Sequence, residues 1–101
     1  MRKIFFRPKA SSDLDEQALF IAHDNLPAAY QLYEACEQTL NKLAKMPRMG
    51  QHYPTREKQL IGIRFFPISG FEKHLIFYIP RKDRIDVLRI LYATRDVNRI
   101  F

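Results

Sequence analysis

The sequence predicts an α+β domain in the order βααβββ: a helical hairpin packed on one face of an antiparallel sheet of about four strands. Three observations predict it. Two consecutive stretches between Ser11 and Met46 carry apolar residues at helical spacing. From Leu60 onward the chain breaks into three apolar runs separated by turn-forming strings. A short aromatic run, Lys3 to Arg7, precedes the first helix. The 101 residues, 47% hydrophobic, are enough for one core, and no linker, repeat or low-complexity segment divides them, so residues 1–101 are expected to form a single domain.

The elements follow in order. Lys3 to Arg7 suits a strand, and Pro8 stops it because proline has no amide to give a ladder. Ser11 and Ser12 precede Asp13, Asp15 and Glu16, so a hydroxyl is expected to cap a helix whose positive end the acids complement. Leu14, Ala18, Ile21 and Ala22 form its buried stripe, and Asp24-Asn25 ends it. A second helix begins near Pro27, at home in a first turn, and buries Ala29, Leu32, Tyr33, Cys36, Leu40, Leu43 and Ala44. Lys42 and Lys45 complement its last carbonyls and Pro47 stops it. The join is so short that the helices must run antiparallel. Met49 to Gln59 reads as a surface loop, and Leu60–Ile68, Phe71–Ile79 and Arg84–Ala93 read as an antiparallel meander.

Charge is unevenly placed. Residues 1 to 10 hold four bases and no acid, 11 to 41 six acids and no Lys or Arg, and 42 to 101 thirteen bases against five acids, for a net charge of +6. That polarity favours an acidic partner, with a solvated lysine-rich surface as the alternative. No apolar stretch approaches the ~20 residues of a membrane span, and the basic start lacks the apolar run of a secretory signal, so a cytoplasmic protein is expected. The lone Cys36 is expected in the core, and the three histidines form no metal cluster with it. No metal or cofactor is expected.

Alternation along the strands then allots side chains to the two sheet faces. Ile61, Ile63 and Phe65 are expected to receive Leu32, Tyr33, Cys36, Leu40 and Leu43 of the helices. Arg64, His74, Tyr78 and Arg89 are expected on the open face, half basic and half apolar, which calls for a partner. Glu72 and Asp86 are the carboxylates available to Arg64 and Arg89 if those arginines are instead paired, and His74 has an alternative as a hydrogen-bonded structural residue. Tyr30 and Tyr33 read as helix packing.

The strings "DNLPAA", "LAKMPRMG", "GIRFFPISGFEKHLIFY" and "IDVLRILYATRD", in this order, resemble the RelE/ParE toxin superfamily of bacterial type II toxin-antitoxin modules, over Phe5 to Phe101. "KHLIFY" and "VLRILYATRD" look most like the ParE branch, the plasmid stabilisation proteins. The resemblance implies a toxin neutralised by a cognate antitoxin that wraps its surface. It also implies two targets: ParE-type members poison DNA gyrase, and RelE-type members cleave mRNA on the ribosome. RNA cleavage needs a base, an acid and cations on the phosphate. On this resemblance Arg95 matches the arginine after the fourth strand. The third-strand arginine of the ribonucleases falls at Leu75, and their near-terminal tyrosine at Phe101, which has no proton to exchange. The expected function is therefore gyrase inhibition by binding, through Arg64, His74, Tyr78, Arg89, Arg95 and Phe101. The alternative is a ribosome-dependent mRNA endoribonuclease using His74, Arg95 and Arg64.

Overall fold

The computed structural model describes residues 2–93 and Val97; Arg95 and Phe101 lie outside the described residues. Strand β1 (Lys3–Phe6) leads into helix α1 (Pro8–Asp24), helix α2 (Leu26–Lys45), a two-residue strand β2 (Gln51–His52), and strands β3 (Arg64–Ile68), β4 (Phe71–Pro80) and β5 (Arg84–Tyr92). They form one five-stranded sheet in the order β1-β5-β4-β3-β2. The α+β class and the hairpin-on-sheet layout are as expected. The sheet is mixed, however: β1 runs parallel to β5, beside Arg84 to Val87, and every other pair is antiparallel.

Local sequence accounts for the helix ends with one correction. Pro8 opens α1 as well as closing β1, with Arg7 as the capping residue and no side-chain cap, so Ser11 and Ser12 lie inside the helix. Proline tolerates that first turn because the amide it lacks would be unpaired there anyway. Asn25 caps α2 by accepting from the Ala28 amide at 3.1 Å, and a single residue separates the helices. The expected strand start at Leu60 is displaced. Lys58–Leu60 is a 3-10 turn, and Gly62 at φ 89° reverses the chain before β3 can begin.

For β3 and β4 the faces are the reverse of those expected. The helices cover Ile68, Ile76, Tyr78, Ile85, Val87 and Ile90, which pack with Leu14, Ala18, Leu32, Cys36, Leu40 and Leu43. Ile63 and Phe65 belong to a second cluster with Phe77, Ile79, Leu88 and Leu91, against which Tyr53, Leu60 and Val97 pack; Ile61 is exposed. Tyr53, Phe65 and Phe77 interlock there, with ring centroids 5.5 to 6.0 Å apart. Because both faces of β4 are covered, alternation of apolar and polar residues carries no sign of which face the helices take. A bulge at Phe77/Tyr78, which sets Phe77 opposite Arg89 and Tyr78 opposite Val87, shifts the phase again.

Candidate functional site

Of the residues singled out for target binding, the four that are described, Arg64, His74, Tyr78 and Arg89, are drawn into internal contacts, His74 and Arg89 along the edge of β5. Past Val87 that edge no longer has β1 beside it, and Ile90 turns its amide and carbonyl outward. Helix α1 fills the gap. Asp13 accepts from the Ile90 amide at 3.1 Å, and Gln17 donates to the Ile90 carbonyl at 2.8 Å. The spacing of four places both side chains on one helix face, so α1 serves the edge as a substitute strand and closes it to strand addition.

Arg89 completes this clip. Its guanidinium forks onto the Asp13 carboxylate with contacts of 2.7 and 2.9 Å, both partners being mostly buried. His74 completes the other end: its Nδ1 bonds the oxygen of Gln17, whose amide nitrogen is already spent on Ile90. That arrangement makes Nδ1 the protonated nitrogen. Phe71 and Tyr92 present ring edges to the imidazole, and burial lowers the pKa of His74 below its ordinary value. His74 thus sits on the helix side of the sheet, as its structural alternative requires.

Tyr78 and Arg64 hold the loop after α2. The Tyr78 hydroxyl accepts from the Gly50 amide at 2.9 Å and donates to the Pro47 carbonyl at 2.7 Å. Burial raises the phenol pKa, with the Gly50 bond and the charge of Arg64 opposing. A side chain at residue 50 would put a carbon 2.3 Å from that hydroxyl, so this close approach demands glycine. Arg64 donates to the Gly50 carbonyl at 2.7 Å and more weakly to that of Arg48. Arg64, His74, Tyr78 and Arg89 therefore do not line a common open face. The carboxylate offered to the strand arginines, Asp86, is buried between Arg7 and Arg81 instead, and the Arg7 bond above all holds its pKa below the ordinary range. Cys36 is buried, and desolvation pushes its thiol up to about 12, where it is no nucleophile.

The sequence reading missed Asp13 and Gln17, the two residues that organise this region. A carboxylate and an amide four apart on a helix with a buried stripe were the available signal, but nothing in the sequence says that they meet the edge of a strand more than seventy residues on. On the opposite edge, a groove of about 220 Å³ runs between α2 and β3, lined by Thr39, Lys42, Phe66, Pro67, Ile68 and Ser69 among others. Among the described residues no helix is long and apolar enough to cross a membrane, and no group of His, Cys, Asp or Glu is placed to hold a metal ion.

This architecture has known counterparts. The family model described as the ParE toxin of the type II toxin-antitoxin system, parDE, matches residues 4–97. The chain belongs to the ParE toxin family. Among solved structures it is similar to a chain of a chromosomal ParDE TA system from P. aeruginosa, with a TM-score of 0.72 and 18% identity. That match covers 91% of this chain and 96% of the other, and at this identity it speaks for the fold. No curated protein sequence matches the chain significantly. Membership places a ParE fold around residues whose polar side chains are mostly committed to one another.

Proposed function

We propose that this ParE-family protein is a cytoplasmic toxin that arrests DNA gyrase by binding it, and that a cognate antitoxin neutralises it. The family match over residues 4–97 carries the reading. The geometry supports binding over hydrolysis. His74, which the ribonuclease alternative would use as an acid or base, is buried against Gln17, and Arg64 and Arg89 are engaged by backbone carbonyls and by Asp13. A phosphate would have to compete with Gln17 for Nδ1 of His74 and with Asp13 for Arg89.

The antitoxin is taken to be anionic overall and to use the groove beside β3, where Lys42 and Glu72 flank an apolar floor of Phe66 and Ile68. Simple extension of the sheet is limited at this edge. Tyr53 donates to the Ile63 carbonyl, so Ile63, Phe65 and Pro67 present their backbone outward, and Pro67 has no amide to offer. A helix or an irregular segment lying in the groove fits better than a long added strand. Purified protein should block gyrase supercoiling and accumulate cleaved DNA complexes. Ribosome-dependent mRNA cleavage without any effect on gyrase would transfer the protein to the ribonuclease reading.

A further inference from the structure

The helical hairpin carries five of the eight large apolar side chains exposed among the described residues, Phe20 at 79% being the most exposed of them. Leu19 on α1 is 75% exposed, and Leu26 and Tyr30 on α2 are 54% and 67% exposed. Leu26, Tyr30 and Tyr33 recur at i, i+4 and i+7, one stripe along α2. The 2.6 Å bond from the Tyr33 hydroxyl to Asp15 sets the register of the two helices, bringing Leu19, one turn after Asp15, level with Tyr30, one turn before Tyr33. That register places the four exposed side chains on one side of the hairpin, a seam leading toward its tip. The same bond pushes the Tyr33 phenol up to about 12 and fixes its ring, so one anchor of the seam is ordered in advance.

Charge around the seam has one sign. Glu16 lies one turn from Leu19, Glu34 one turn from Tyr30 and Glu37 one turn from Tyr33, all exposed, and no Lys or Arg occurs between residues 11 and 41. An acidic antitoxin is repelled here. A second copy meeting the seam symmetrically would set these carboxylates against their own like.

We propose that this seam is the docking surface for the toxin's target, a protein offering an apolar patch edged with Lys or Arg. The inference rests on the toxin reading above but not on gyrase being the target. Exposed aromatic and leucine anchors flanked by complementary charge are what such an interface uses, and loss of two anchors should weaken binding at least about tenfold.

The test uses the full chain with Leu19→Glu/Tyr30→Glu, and separately with Glu16→Lys/Glu34→Lys. The readouts are growth arrest on induction, inhibition of purified gyrase, co-purification with the antitoxin, and the melting curve. The first variant should lose growth arrest while melting as the wild type and retaining the antitoxin. The charge variant should be weakened, its defect shrinking as salt rises in any reconstituted target assay. Growth arrest by Leu19→Glu/Tyr30→Glu at the wild-type level overturns the proposal. So does loss of antitoxin co-purification, which would make the seam an antitoxin site, and so does a wild-type dimer that the variant splits. If the wild type arrests growth without touching gyrase and the seam variant does not arrest it, the seam stands and the gyrase reading fails. If both proteins poison gyrase alike, the gyrase reading stands and the seam fails.

Discussion

Helix α1 treats its polar and apolar residues in opposite ways on two sides. Toward β5, Asp13 and Gln17 turn inward and are consumed by Arg89, Ile90 and His74. Toward α2 and solvent, Leu19 is left uncovered beside Tyr30. Residue type alone therefore says little about which side chains this fold leaves exposed. Arg64, Arg89 and His74 in its strands act as fasteners, while Leu19, Leu26 and Tyr30 on the hairpin are left in solvent. A buried charge needs a partner within the fold, whereas an exposed apolar side chain is tolerated without one and gains most when something covers it.

The sharpest way to break this comparison is to cut the fastener. Asp13→Ala removes the acceptor for both Arg89 and the Ile90 amide in a pair that is less than a fifth exposed on either side, and should cost about 3 kcal/mol in denaturant unfolding. A near-neutral result would show the clip to be ornamental. Gly50→Ala should follow, at about 2 to 3 kcal/mol, because a methyl group at 2.3 Å must displace the Tyr78 hydroxyl and its two bonds. Gly50→Ala combined with Tyr78→Phe should recover part of that loss, since the hydroxyl is gone.

A smaller effect comes from pH. The pKa of His74 is lowered in the folded state, so the unfolded chain binds the extra proton first as pH falls below the ordinary histidine value of about 6.5. Stability should therefore decline from pH 7 toward 5, and His74→Asn, which keeps a donor for Gln17 without titrating, should flatten that decline. Asp86 acts later. Its lowered pKa adds stability that is present above the ordinary carboxylate range and lost only as pH falls through the depressed value, and the partly exposed Arg7 and Arg81 keep the effect modest. Smallest of all is Leu19→Ser, which on the outward side should change stability by less than about 0.5 kcal/mol.

Legibility in the sequence followed the same division. The hairpin could be read because its signals are local: the apolar period, Pro27 at the start of α2, Pro47 beyond its end. Tyr33 was misread as buried because it borders that stripe and reaches Asp15 instead. The sheet faces could not be read, since Ile63, Phe65 and Phe77 are covered on one side and Phe66, Ile76 and Tyr78 on the other. Two apolar faces erase the alternation that would tell them apart. The parallel docking of β1 and the two-residue β2 are set by distant contacts with β5 and β3, which no local pattern announces. The open-face placement of Arg64, His74 and Arg89 failed for a related reason: they looked free only because Asp13, Gln17 and the Gly50 carbonyl are remote in sequence.

If toxicity passes through binding and not through His74, the decisive comparison is growth arrest and gyrase cleavage complexes for His74→Asn beside the wild type, at concentrations matched for folded protein. Equal potency of His74→Asn and the wild type is the predicted result. A well-folded His74→Asn protein that no longer arrests growth, paired with a wild type that cleaves ribosome-bound mRNA, would contradict the account.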